Sequence, residues 1–215
     1  MTVLYENRRA GAYIVSEAAG ATGGMRSREA GVLASGSGKL VDGTILGQIS
    51  VAAVPVAAAK GGNTGNATIS AVAPGPGAKV GVYSVEFAAA TKFDVVDPEG
   101  FKIKSGSTGA AYADDLGFTI TVGATPMVAG DGFNITVSAG TKKFKPYDPA
   151  AVDGSQKARA VLFGNVDATA ADKNIVVSMR DTEINGAEIT WPVGISAPNK
   201  ATAIADLTAR SIIVR

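Results

Sequence analysis

The sequence predicts a mainly β protein, on three observations. Hydrophobic residues make up 46% of the 215-residue chain but aromatics only 6%, and 27 residues are glycine. Cores are therefore expected to be built from Val, Ile, Leu and Ala between closely spaced turns. Apolar and polar residues alternate in several short runs, the period of a half-buried strand, and turn signals such as PGPG, DPEG and AGDG recur about every 8 to 12 residues, as in a small sandwich or barrel. With domains of about 100 to 200 residues as the norm, two small lobes are expected.

The first 30 residues alternate apolar clusters, Val3-Leu4-Tyr5 and Tyr13-Ile14-Val15, with charged and glycine-rich pieces. Such a segment cannot close a core of its own, so residues 1–30 are read as an extended arm, ordered only when it docks. Leu4, Tyr5, Tyr13, Ile14 and Val15 are its candidate contact residues, because β-branched and aromatic side chains favour strands and an extended segment gains main-chain hydrogen bonds at a sheet edge. The bland alternative is a disordered tail. Ordering costs about 1 to 2 kcal/mol per residue, which many arms acting together offset through avidity.

From Gly31 the runs GVLAS, KLVDG and TILGQISVAAVPV read as strands bounded by turn residues. A glycine-rich break follows, and then ATISAV, KVGVYSVEFAA, TKFDVVDP, GFKIK, GFTITVG and FNITVSAG. Phe118, Ile120 and Val122 fall on one strand face, and Phe133, Ile135 and Val137 on another. Residues 57–144 are expected to form an inserted all-β lobe, sandwich-like or barrel-like. Strand-like segments resume with KARAVLFGNVDAT, NIVVSMRD and AEITWP, and only PNKATAIADLTAR favours a helix. Asn199 is its expected N-cap, Ile204 and Leu207 share a face, and Arg210 suits the C-terminal end of the dipole. Residues 31–56 with 145–215 are expected to pair into a small β-rich lobe carrying this one short helix, closed by the terminal SIIVR.

The 20 basic and 19 acidic residues nearly cancel, and they cancel locally, four against three in residues 1–29 and six against seven in residues 61–144. No stretch is a polycation able to track a phosphate backbone, which argues against nucleic-acid binding. The chain has no cysteine and no histidine. Disulfides, thiolate nucleophiles, the usual neutral-pH base and the commonest transition-metal ligand are all missing, so an enzyme is disfavoured and no cofactor is expected. The N-terminus lacks the apolar run of roughly 7 to 15 residues of a signal peptide, and no stretch approaches the roughly 20 residues that span a bilayer. Synthesis in a cytoplasm and a soluble protein without membrane contact are expected.

Several local patterns invite chemistry. Asp148 and Asp153 in YDPAAVDGSQ could hold a cation, but the alternate oxygen ligands and closing glutamate of a calcium loop are missing, and Asp-Pro and Asp-Gly are ordinary turn formers. GSGK at Gly36 to Lys39 lacks the remaining positions of a phosphate loop and reads as a hairpin turn. Asp114 and Asp115 with Asp131 are candidates for a weak cation site, against the plainer reading of solvated loop carboxylates. Asn66 and Asn134 begin glycosylation patterns that need a secretory route. Ser50, Ser155 and Ser178 have no histidine to activate them. Trp191 before Pro192 reads either as a core anchor or as a subunit-interface residue, since Trp and Tyr are enriched where subunits meet.

The run YDPAAVDGSQKARAVLFGNVDATAADKNIVVSMRDTEINGAEITWP, followed by a short helix and SIIVR, resembles the head decoration proteins of phage lambda and its relatives. Tyr147-Asp148, Asp153-Gly154, Ala160-Val161-Leu162 and Trp191-Pro192 occupy that family's turn, Asp-Gly, small-residue strand and Trp-Pro positions. GVLASGSGKLVDGTIL is similar to its early strand and turn, and the middle of the chain to an insertion in longer decoration proteins. Lys157 and Arg159 depart from the pattern by placing charge in a strand where the family favours small or apolar residues. The resemblance implies a structural virion protein on the outer surface of the expanded phage capsid, bound as a homotrimer at local threefold positions and stabilising the head against DNA pressure. Its partners would be the major capsid protein, met by the arm, and its own copies, with Trp191 and Pro192 as candidate trimer contacts. The alternative is a carbohydrate-binding or adhesion module, in which the inserted lobe meets a host-surface glycan through exposed aromatic platforms.

Overall fold

A computed structural model describes residues 8–20, 24 and 26–215. Met1–Ile49 with Lys142–Arg215 form unit 1, and Ser50–Thr141 form unit 2. Unit 1 opens with β1 (Ile14–Glu17), β2 (Arg28–Leu33), β3 (Gly38–Leu40) and β4 (Ile45–Gln48). Unit 2 holds β5 (Val56–Ala59), β6 (Thr68–Ile69), β7 (Ala73–Pro74), β8 (Gly81–Ala89), β9 (Lys92–Val96), β10 (Lys102–Ser107), β11 (Ala111–Ala113), β12 (Leu116–Thr121) and β13 (Gly132–Val137). The chain re-enters unit 1 through β14 (Phe144–Pro146), β15 (Ala160–Phe163), β16 (Val166–Ala168), β17 (Lys173–Ser178), β18 (Thr182–Ile184), α1 (Ala197–Thr208) and β19 (Ile212–Val214).

Unit 2 is a two-sheet sandwich, with order β10-β9-β8-β13-β5 in one sheet and β11-β12-β6, with β7 beside β12, in the other. Because strand side chains alternate between faces, Tyr83, Val85 and Phe87 of β8, Leu116, Phe118 and Ile120 of β12, and Phe133, Ile135 and Val137 of β13 all enter one shared core. Val122 does not extend the Phe118 face as expected: β12 ends at Thr121, and Val122 is exposed. The expected lobe boundary at residue 56 also shifts, since Val56 begins β5 and pairs with Thr136 of β13.

In unit 1 the strands β14, β2, β17, β15 and β4 close into a barrel, filled by Leu33, Leu46, Phe144, Ala160, Leu162, Ile175 and Val177. A second core brings α1, through Ala203 and Leu207, together with Tyr13, Ile45, Tyr147, Val161, Ile184 and Ile212. The strand β15 is buried on both faces, with Ala160 and Leu162 in one core and Val161 in the other. Two-sided burial explains its unbroken apolar run. Lys157 and Arg159 precede this strand rather than lying in it, so they do not break its packing.

Two other expectations need correction. The helix is capped by Ser196, not Asn199: Ser196 is extended (φ −71°, ψ 153°) and its side chain accepts the Asn199 N–H at 3.3 Å. Asn199 instead lies in the first turn, which tolerates the missing N–H of Pro198 because first-turn N–H groups have no intrahelical acceptor. Residues 8–20, assigned to an arm that orders only on docking, belong to the folded unit: β1 pairs antiparallel with β18, which pairs parallel with β19. Among the described residues no helix is long and apolar enough to cross a membrane.

Candidate functional site

The loop from Tyr147 to Gln156 is built by turn chemistry. The Asp148 carboxylate accepts the Ala150 N–H at 2.9 Å. The Asp153 carboxylate accepts the Ser155 N–H at 3.0 Å and hydroxyl at 2.5 Å, and Lys145 Nζ at 3.0 Å. Burial alone would raise the Asp153 carboxyl, but the bonds from Ser155 and Lys145 outweigh it and hold it below its ordinary value. The loop lies so close to β4 that a Cβ at Gly47 would meet the Ser155 carbonyl oxygen at 2.3 Å, which is why glycine stands there.

A second constellation ties the N-terminal segment down, and sequence reading missed its centre. Asp42, fully buried, accepts the N–H groups of Gly11 at 2.8 Å, Ala12 at 3.1 Å and Gly164 at 2.7 Å. In the sequence it sits in KLVDG and looks like any turn aspartate. Arg8 reaches the Asp42 carbonyl at 3.3 Å and the Glu188 carboxylate at 3.4 Å. Tyr13 is fully buried, with its hydroxyl 2.7 Å from Ser178 Oγ; burial raises its phenol, which the Ser178 bond only partly opposes. Glu17 accepts bonds from Arg28 and from Ser27, the latter at 2.6 Å. Burial would raise its carboxyl, but these bonds hold it below its ordinary value.

Of the five candidate arm residues, Tyr13 is thus a core residue of its own chain, because it packs in the helix-side core with Ile45, Val161 and Ile184. Ile14 packs against the same core, whereas Val15 is 57% exposed on β1. Leu4 and Tyr5 lie outside the described residues.

Next to this clamp lies an apolar cleft of about 220 Å³, walled by Leu40, Val41, Ile45, Pro146, Tyr147, Trp191, Pro192 and Val193. The segment before Trp191 is laid beside β4 by a bridge between Thr44 and Thr190 and by the Thr190 N–H donating to the Gly43 carbonyl at 2.9 Å. Gly43 is left-handed (φ 81°), and a Cβ there would meet the Glu188 carbonyl oxygen at 2.8 Å. Trp191 is half-buried against the helix-side core, with Lys200 Nζ 5.1 Å from its ring centroid. Its indole Nε1 is buried with no hydrogen-bond partner. After it, Ile195 N–H closes a turn on the Pro192 carbonyl at 3.2 Å with Gly194 left-handed, which leaves Val193 wholly exposed. The structure therefore places Trp191 and Pro192 on the wall of an open apolar cleft, with Val193 exposed beside them.

The remaining candidates are held apart. Asp131 is buried and accepts N–H groups from Thr64, Gly65 and Val128 at 2.9, 2.9 and 3.0 Å, which keep its carboxyl below its ordinary value. Asp115 instead faces the Tyr83 hydroxyl at 3.4 Å, and among the described residues no three acidic groups gather as a metal site. Gly36 and Gly38 are both left-handed and shape a turn, and Lys39 pairs with Asp167. Tyr83, Phe87, Phe93, Tyr112, Phe118 and Phe133 are core residues of unit 2; Phe101 is the large aromatic it exposes. The aromatic platforms that a glycan-binding lobe would present are thus turned inward, because alternation places each ring between the sheets.

Comparison with known proteins bears on the whole chain. The sequence family of the bacteriophage lambda head decoration protein D matches residues 3–212. No curated protein matches the chain. Similar solved structures include FlgL of Xanthomonas campestris, at 24% identity and a TM-score of 0.34 over 46% of this chain and 34% of that one. Another is the flagellar hook junction protein FlgK of Burkholderia pseudomallei, at 23% and 0.34 over 56% and 21%. The chain spans about a third or less of the length of these two proteins, and at such scores the likenesses carry no argument. The family match does: the chain belongs to the bacteriophage lambda head decoration protein D family.

Proposed function

We propose that this decoration protein binds the outer surface of the expanded phage head as homotrimers at local threefold positions and stabilises it against the pressure of packaged DNA, without enzymatic activity. The observation that carries the assembly part is the open apolar surface at Trp191, Pro192 and Val193, in a family whose members decorate capsids. Burying such a surface between copies contributes roughly 25 cal/mol per Å² of apolar area before the costs of association. The preceding Arg8 anchor supports a division within the N-terminal segment. Residues from Arg8 onward belong to unit 1, and residues 1–7, with Leu4 and Tyr5, meet the major capsid protein, helped by exposed Val15.

Two variants test this. Val193→Asp places a charge on the exposed apolar surface without touching a core, so light scattering is expected to show loss of the trimer with thermal stability retained; an unchanged oligomeric state removes Trp191 and Pro192 from the interface. Deleting residues 1–7 spares Tyr13 and β1, and is expected to abolish binding to expanded heads stripped of decoration protein. Undiminished binding would sink the arm reading.

A further inference from the structure

Unit 1 carries a small excess of positive charge. Residues 1–49 and 142–215 carry 15 basic and 12 acidic side chains, and residues 50–141 carry five and seven. Among the described residues of unit 1, eight basic side chains hold carboxylate partners. Of the other seven, Lys157, Arg159 and Arg210 lie together where the approach to β15 meets the end of α1. There a pocket of about 210 Å³ is lined by Lys157, Ala158, Arg159, Asp206, Ala209 and Arg210.

Among the described residues neither arginine side chain has a partner: Arg159 and Arg210 each bury Nε with no hydrogen bond, and neither forms an ion pair there. Arg210 lies close enough to Arg159 and Arg180 that, after burial, their charges depress its guanidinium below its usual value. Arg180 has Glu29 as its own partner. The pocket's one acid, Asp206, accepts the Ala158 N–H at 3.1 Å and so holds the wall of the pocket. Unpaired donors with buried Nε atoms carry a desolvation cost that an incoming anion would remove. The fork of a guanidinium matches a carboxylate in a bidentate way.

We infer that this pocket receives an acidic side chain of the capsid protein, a reading that rests on the decoration role proposed above. A second copy of this chain is a poorer source. The described carboxylates of unit 1 are held by its own bases, apart from Asp42, which is buried, Asp148, which is exposed and accepts the Ala150 N–H of its own turn, and the pocket's own Asp206. A nucleic-acid phosphate is poorer still, because three cations beside one acid form an isolated site and no basic track leads to it.

The test uses the full chain and expanded heads stripped of decoration protein, with binding measured across a salt series. Arg159→Gln/Arg210→Gln is expected to weaken head binding about 30-fold or more and to flatten its salt dependence, as loss of a desolvated charge pair does. Arg159→Lys is expected to retain part of the affinity. Thermal unfolding of the double variant is expected to be unchanged or raised, since no internal partner is lost and a like-charge contact is removed. Unchanged head binding overturns the inference. So does a changed oligomeric state in the absence of heads, which assigns the pocket to contacts between copies, or wild-type binding of a short DNA duplex that the double variant loses. Failure of the wild-type protein to bind heads would strike the decoration role itself, not this pocket.

Discussion

Unit 2 is one continuous stretch whose sheets share one core, whereas unit 1 joins two remote stretches around two cores. In unit 2 each main strand has a buried and an open face, so alternation in FTIT and FNITV maps directly onto inside and outside. In unit 1, β15 is buried on both faces and β4 sends Ile45 to one core and Leu46 to the other. Its parallel pairs, β18 with β19 and β14 with β2, join distant positions. The difference teaches that a strand is readable when water marks one of its faces, and that a strand between two cores carries no such mark.

The largest expected effect tests whether the two units are energetically separate. Phe93 is 1% exposed with the Phe87, Phe118 and Tyr112 rings at 5.7, 6.0 and 6.2 Å, so Phe93→Ala should cost about 3 to 5 kcal/mol. Calorimetry is expected to show a lowered transition for unit 2 with that of unit 1 unmoved; joint movement of both would break the comparison. Next, Asp42→Ala leaves three backbone donors without their acceptor, at a cost of about 3 kcal/mol to unit 1. Hydrogen exchange should quicken at Gly11, Ala12 and Gly164 first, and uniform quickening would deny Asp42 its local role as a clamp.

Smaller effects sharpen the description of unit 1. Ser196→Ala should remove about 1 kcal/mol through the lost helix cap, while Asn199→Ala should cost less; the reverse order in urea unfolding would restore Asn199 as the cap. The smallest effect is pH-dependent. Because Arg28 and Ser27 depress the Glu17 carboxyl in the folded chain, its contribution is fully present above the unfolded value of 4.5 and is lost as pH falls through the lower folded value. The stability difference between wild type and Glu17→Gln should therefore shrink on acidification below 4.5, and a difference that grows there would contradict the Arg28 pairing.

The site was legible in part. Trp191 and Pro192 stand out in the sequence because the chain has one tryptophan, and the structure places them at an open apolar surface. Asp42 gave no signal, since an aspartate before glycine looks the same whether it shapes its own turn or accepts N–H groups from residues 30 and more positions away. Tyr13 reads as an arm residue in the sequence because its short apolar cluster, Tyr13-Ile14-Val15, is flanked by charged and glycine-rich pieces, while its partner, Ser178, lies 165 residues further on. The basic pocket was invisible for a related reason: Arg210 lies some 50 residues from Lys157 and Arg159 in sequence, and only folding brings the three together.

By itself the sequence determined the β class, the inward faces of unit 2 except at Val122, the late helix and the turn nature of YDPAAVDGSQ, because strand period, helix period and Asx turns are local properties of the backbone. Only the tertiary structure decided that residues from Arg8 belong to unit 1, that β15 is covered on both sides, and that Arg159 and Arg210 have no partner among the described residues. These depend on which distant segments meet, and that is set by the packing of two cores rather than by any neighbour in the chain.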